Sequence, residues 1–217
     1  MKLSLINPNT SRKTTRTMVG IASETAGVGV TVTGHTANFG AALITGPEAL
    51  ATAAEAVAVL AASLGDADAV IVAAFGDPGL DAVRAALGIP VTGIAEAGMA
   101  EASEGGRRFA VVTTTPDLRE RIAETARRHG HQQFAGTWTT HADPVELTAD
   151  PQALVTALAE TVERAIREGA AEAVIIGGGP LAVAARALSG TMSVPLIEPL
   201  PAAVRLSLDR VKIRSGA

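Results

Sequence analysis

Two turns in this chain hold residues suited to binding a carbonyl or carboxylate compound. Val70-Ile-Val-Ala-Ala-Phe-Gly-Asp-Pro-Gly-Leu80 is an apolar run that breaks into a Gly/Asp/Pro turn. Val174-Ile-Ile-Gly-Gly-Gly-Pro-Leu181 repeats the plan later in the chain. Glycine lets backbone N–H groups come close to a ligand, and a helix opening behind such a turn favours negative charge. Ala74, Phe75 and Gly76 in the first turn, and Gly177, Gly178 and Gly179 in the second, are therefore candidate binding residues. Asn9, Thr10 and Ser11 end the first apolar run of the chain, and Thr113 and Thr114 end a matching one; all five can hydrogen-bond a substrate carbonyl or carboxylate. Asn9–Ser11 can equally cap a helix. For proton transfer the candidates are Asp77, Glu96, Glu198 and His35. Asp77 precedes a proline and also reads as a helix cap; Glu96 and Glu198 read as occupying equivalent places in the two halves, and also as caps or hydrogen-bonding groups between those halves. Thr115-Pro116 reads as a cap and a first turn. The chain contains no cysteine, so neither turn offers a thiol.

These residues need elements to carry them. Leu3–Ile6, Val30–Thr33, Ala69–Ala74 and Val91–Gly93 read as strands, as do Phe109–Thr113, Phe134–Thr139, Ala173–Ile176 and Val194–Ile197. Helical patterns alternate with them over Ser11–Ala26, Pro47–Leu64, Pro78–Leu87 and Ala95–Glu104, then Pro116–His129, Pro151–Glu168, Pro180–Ser189 and Pro199–Val211. Many begin with proline at the first helical position. Strict β/α alternation predicts an α/β fold with parallel sheets flanked by helices.

The two halves repeat. Leu3-Ser-Leu-Ile-Asn-Pro-Asn-Thr10 parallels Phe109-Ala-Val-Val-Thr-Thr-Thr-Pro116, and Gly93-Ile-Ala-Glu-Ala97 is aligned with Leu196-Ile-Glu-Pro-Leu200. The expected architecture is two pseudo-symmetric lobes, each with a four-stranded parallel sheet. Lobe 1 spans residues 1–98 and lobe 2 residues 99–204, with a C-terminal helix over about 205–217 packing back on lobe 1. Ligands of such sheets bind beyond the carboxyl ends of the strands, so the interlobe cleft is the expected site.

Composition narrows the function. At 47% hydrophobic and 18% charged, the 217 residues can bury a core. A net charge of −4 with no basic stripe argues against nucleic acid as a partner. No apolar run is long enough for a membrane span, and Met1-Lys-Leu-Ser-Leu-Ile is too short for a signal peptide, which predicts a cytoplasmic protein. His129, His131 and His141 form no recognised metal pattern, and no metal or cofactor is expected. The expected partners are a small-molecule substrate and further copies of the chain.

Taken together, Ile6-Asn-Pro-Asn-Thr-Ser11, Phe75-Gly-Asp-Pro-Gly-Leu80, Gly93-Ile-Ala-Glu-Ala97, Val111-Val-Thr-Thr114 and Ile197-Glu-Pro199 resemble the aspartate/glutamate racemase superfamily, in its hydantoin and allantoin racemase branch. The resemblance runs from end to end. It implies two α/β lobes and cofactor-independent racemisation by two cysteines, one per lobe. It also implies that those cysteines fall at Ala74 and Gly178, where this chain has no group able to transfer a proton. The expected function is thus an isomerase-type enzyme acting on a small cyclic ureide, amino acid or carboxylic acid without the two-thiol mechanism. A hydrolase or lyase using activated water, and a binding protein without catalysis, are the alternatives.

Overall fold

The computed structural model describes residues 1–216; Ala217, the end of the expected C-terminal helix, lies outside the described residues. In the first half, β1 (Lys2–Asn7), α1 (Arg12–Ala26), β2 (Thr31–Thr36), α2 (Pro47–Ala61), β3 (Ala69–Val72), α3 (Leu80–Ala86), β4 (Val91–Gly93) and α4 (Ile94–Ala102) follow one another. The second half comprises β5 (Phe109–Thr113), α5 (Arg119–Arg128), β6 (Phe134–Thr139), α6 (Pro144–Ala149), α7 (Pro151–Gly169), β7 (Ala173–Ile176), α8 (Ala182–Leu188), β8 (Leu196–Ile197) and α9 (Pro199–Ser215).

The strands make two parallel four-stranded sheets of the same order, β2-β1-β3-β4 and β6-β5-β7-β8. The central strands are apolar and buried throughout, as in β3 (Ala-Val-Ile-Val) and β7 (Ala-Val-Ile-Ile), because helices cover both faces. Leu3 pairs with Ala69 and Ile6 with Val72; in the second sheet Phe109 pairs with Ala173 and Val112 with Ile176. Beyond the last pairs, Ala73 N donates to Ile6 O at 2.8 Å and Gly177 N to Val112 O at 2.8 Å. This common register makes Ala74 equivalent to Gly178, and Asn9 equivalent to Thr115.

The register corrects one alignment. Ile71 pairs with Thr92, and Ile175 with Ile197. Glu198 is therefore the counterpart of Gly93, and Glu96 the counterpart of Pro201, so the two glutamates do not occupy equivalent places. Matching the strings alone missed the offset, because only strand pairing fixes where each segment begins.

Boundaries differ where special backbone intervenes. β3 ends at Val72 and α3 starts at Leu80 rather than Pro78, because Asp77 (φ 48°) and Gly79 (φ 73°) both adopt the left-handed conformation. A side chain at Gly79 would come within 3.0 Å of Ala54 O, so the turn is pressed against α2. β2 extends to Thr36 and β8 shortens to Leu196–Ile197. Helix α6 was not foreseen; the Asp143 side chain caps it by accepting from Val145 N and Glu146 N.

One hydrophobic cluster runs through both halves, joining Leu3, Leu5, Ile71, Ile94 and Met99 to Phe109, Val111, Ile175, Leu200 and Val204. Burying each such side chain contributes about 1.5–3 kcal/mol, so the halves share one core. Helix α9 packs on α1, α4, β3 and β4, crossing back onto the first sheet. Arg210 fixes it there by donating to Val91 O, Thr92 Oγ1 and both carboxylate oxygens of Glu96. Among the described residues no helix is long and apolar enough to cross a membrane.

Candidate functional site

The carboxyl ends of β1, β3, β5 and β7 converge on one cavity of about 550 Å³ of empty space, its solvent-open part included. Asn9 enters it after β1, Ala73, Ala74 and Phe75 after β3, Thr113 at the end of β5 with Thr114 and Thr115 behind it, and Gly177, Gly178 and Gly179 after β7. Ala74 and Gly178 thus line the same cavity. Leu43 and Ile44, from the segment between β2 and α2, line it as well.

The two turns touch. A Cβ at Gly177 would lie 2.9–3.1 Å from the Phe75 ring, and one at Gly179 would lie 2.8 Å from Met18 Sδ and 3.3 Å from Ala73 O. Only glycine permits this approach. Gly178 has φ 146°, a conformation that residues with a Cβ rarely adopt. The glycines are therefore needed to bring the second turn against the first.

Hydrogen bonding orients the polar lining. Asn7, fully buried, donates through Nδ2 to Asn9 Oδ1 at 2.8 Å and to Thr15 Oγ1 at 3.0 Å. Asn9 Oδ1 also accepts from Ser11 N at 2.9 Å, which leaves the Asn9 amide nitrogen as the donor for the cavity. Thr113 and Thr115 share a hydrogen bond of 3.0 Å between their hydroxyls. Among the turn and loop hydrogen bonds, none is donated by the backbone N–H of Ala74, Phe75, Thr114, Gly178 or Gly179. Donors grouped in this way suit an anionic or carbonyl oxygen.

The remaining expected binding residues sit at the margin. Thr10 donates its N–H to Ala41 O. The Ser11 hydroxyl caps α1 by accepting from Thr14 N at 3.2 Å. Gly76 turns the chain at φ 106°, and its carbonyl accepts from Arg121 Nε at 3.3 Å, tying the first turn to α5.

None of the four expected proton-transfer residues lines this cavity. Asp77 is buried and points the other way. Its carboxylate accepts from Ala95 N at 2.9 Å and Glu96 N at 2.8 Å, so it caps α4 from a distant part of the chain. Burial pushes its pKa up to about 7, against the lowering effect of those two N–H bonds. Its Cγ lies only 2.2 Å from where a Cβ of Gly93 would stand, so residue 93 must be glycine. Glu96 is held by Arg84 at 2.5 Å and Arg210 at 2.7 Å. Burial alone would raise its pKa, but the Arg210 hydrogen bond and the two cations outweigh burial and lower it. Glu198 lies 3.4 Å from Arg186 Nε, within ion-pair range but without an aligned hydrogen bond. His35 sits on the outer strand β2, where Nε2 is 3.3 Å from Ser4 Oγ and burial lowers its pKa.

Leu43, Ile44, Thr115, Thr148, Leu118 and Ile122 line the cavity without having been singled out as binding residues. The large aliphatic pair Leu43-Ile44 inside a Gly-containing loop of small residues was the available signal. Among the described residues, no side chain lining this cavity is titratable, and no group of three or more His, Asp or Glu side chains is placed to hold a metal ion.

Comparison with known proteins agrees with this geometry. A sequence profile of the Asp/Glu/hydantoin racemase family matches residues 3–207. The chain is 31% identical to a hydantoin racemase of Paenarthrobacter aurescens over 217 aligned residues, covering 98% of this chain and 92% of the relative. The allantoin racemase of Pseudomonas fluorescens superposes with a TM-score of 0.92 at 30% identity, covering 100% of this chain and 92% of that one. The allantoin racemase of Klebsiella pneumoniae gives 0.90 at 31% identity, covering 100% and 89%.

Proposed function

We propose, from the premise that the chain belongs to the Asp/Glu/hydantoin racemase family, that its interlobe cavity acts on a small cyclic ureide or related carbonyl compound without side-chain proton transfer. The observation that carries this reading is the cavity lining, which combines free backbone N–H groups with no titratable side chain. The chain has no thiol, so the substrate carbon cannot exchange its proton with cysteine. Loss of a proton beside a carbonyl moves negative charge onto the carbonyl oxygen. N–H donors from Ala74, Phe75, Gly178 and Gly179, with Asn9 and Thr114, suit that oxyanion. Water then takes the proton away and a proton returns to either face, which racemises the centre. Without a general base such an enzyme forgoes about 10²–10⁴-fold in rate.

A second reading, ligand binding without turnover, is favoured by the same lining. Proton NMR in D₂O on hydantoin and alanine-derived hydantoin, together with calorimetry, separates the two. Protein-dependent loss of the α-proton signal supports enolate chemistry, and binding with no exchange above background supports the second reading. If neither compound binds, both readings of the cleft are wrong.

A further inference from the structure

Asn7 stands at the end of β1, fully buried, and does not itself line the cavity. Four hydrogen bonds nevertheless gather on its amide. Oδ1 accepts from Asn9 N at 3.2 Å, and Nδ2 donates to Asn9 Oδ1 at 2.8 Å, to Thr15 Oγ1 at 3.0 Å and to Ser11 O at 3.2 Å. The backbone partners fix which end of the amide is which, since a peptide N–H can only donate and a peptide carbonyl can only accept. Capping of α1 does not require this group, because the Ser11 hydroxyl accepts from Thr14 N. The second half carries the same device. Ala37 N donates to Asn7 O and Thr140 N to Thr113 O, so Thr113 is the register equivalent of Asn7. The Thr113 hydroxyl meets that of Thr115, the equivalent of Asn9, at 3.0 Å. In each half the last residue of the first strand holds, side chain to side chain, the cavity-lining residue two places on.

We infer that Asn7 is a positioning residue that fixes the hydrogen-bonding direction of the cleft on the side of the first half: it holds Asn9 Oδ1 inward, so that Asn9 Nδ2 meets the ligand as a donor. The inference rests on the cleft reading above and adds a residue that touches no ligand. Direction matters because a ligand oxygen gains a bond from an N–H and is repelled by a carbonyl. The two halves differ here. An amide pair locked to the backbone presents one direction only, whereas a hydroxyl pair can donate from either member. The cleft therefore offers a fixed donor at Asn9 and an adaptable group at Thr115. Replacing Asn7 by aspartate keeps the shape and removes the donor. A carboxylate accepts hydrogen bonds about twice as strong as neutral ones, so it draws Asn9 Nδ2 inward against the 2.9 Å contact with Ser11 N and turns Asn9 Oδ1 to the cavity.

The chain holds three asparagines, Asn7, Asn9 and the exposed Asn38, so asparagine-selective ¹⁵N labelling gives three side-chain amide signals. In the parent chain the Asn9 signal is expected to exchange with solvent and to shift when hydantoin is added, while that of Asn7 is protected. In Asn7→Asp the Asn9 signal is expected to become protected and to stop responding. Calorimetry should then show hydantoin bound about ten- to hundredfold more weakly, the range for a buried polar group left without its partner. Thr15→Val controls for packing. Asn7 Nδ2 has two protons for three acceptors, so losing Thr15 Oγ1 still leaves one proton for Asn9, whose signal should respond as in the parent. If Asn7→Asp does not fold, Asn7→Thr makes the comparison, since its hydroxyl lets Asn9 take either direction, with an expected loss of about three- to tenfold. If hydantoin binds but the Asn9 signal does not respond, or responds equally in the Asn7 variant, or if Thr15→Val matches the Asn7 variant, the positioning assignment is overturned while the cleft reading stands. If hydantoin does not bind the parent chain, the cleft reading fails and the assignment falls with it.

Discussion

The Phe75 ring fills the space that a side chain at Gly177 would need, the two atoms closing to 2.9 Å if a Cβ is built there. This contact joins the turn after β3 to the turn after β7, and the cavity lies beside it. Gly177→Ala is therefore expected to push the ring into the cavity or the halves apart, at a cost of about 1–3 kcal/mol in urea unfolding. Phe75→Leu in the same chain should restore much of that loss. Additive losses in the double variant would mean that the ring is not what residue 177 meets.

Asp77 predicts an unusual pH dependence. An unfolded aspartate titrates near 3.8, whereas the buried group titrates near 7. Between those values the folded state holds the proton that the unfolded state has released, so stability falls as pH rises through the window and levels off above it. The effect is on the order of 4 kcal/mol across the window. Asp77→Asn keeps an oxygen acceptor for one of the two N–H groups, Ala95 N or Glu96 N, turns its amide nitrogen towards the other, and cannot ionise. Its thermal midpoint should lack this downward slope, measured against the parent chain from pH 4.5 to 8. Parallel profiles for the two proteins would refute the assignment.

Glu96 works in the opposite direction. Its pKa is lowered in the folded state, so its contribution is present above the unfolded value and is lost as pH falls through the folded one. It also ties α9 to the first sheet through Arg210, and α3 through Arg84. Glu96→Ala leaves two cations beside Val91 O without their anion, which is expected to cost about 3–5 kcal/mol. Hydrogen exchange should locate the loss in α9 and β4. Uniform change across the chain would argue against this local lock.

Particular residues show what the sequence made readable. β5 and β7 end at or one residue beyond the ends of their apolar runs, and the Asn9/Thr115 pair follows from duplicated strings. β2 was drawn short because its end, Gly34-His35-Thr36, is polar and lies at the sheet edge. Asp77 was open to two readings because its partners, Ala95 and Glu96, are distant in sequence and its φ of 48° follows from that contact. Leu43 and Ile44 sit in a loop, where hydrophobic periodicity carries no signal. The supposed Glu96/Glu198 pair failed because equivalence in a duplicated fold is set by strand register rather than by matching letters.

The last prediction concerns the two positions where the family resemblance places thiols. Ala74 has ordinary backbone geometry and lines the cavity, so Ala74→Cys should fold and react with iodoacetamide. Gly178 differs: its φ is 146°, and a Cβ there would meet Leu181 Cγ at 3.2 Å. Gly178→Cys is therefore expected to cost about 1–3 kcal/mol and to move the second turn away from the first. The two substitutions are not symmetric, although the positions are. With a thiol at residue 74 alone, one face of the substrate gains a base and the other still meets only water. α-Proton exchange in D₂O should then accelerate for one enantiomer of a bound hydantoin by about 10²–10⁴-fold, while inversion lags behind it. Exchange and inversion rising together, or equal exchange for both enantiomers, would show that residue 74 does not address a single face of the reacting carbon.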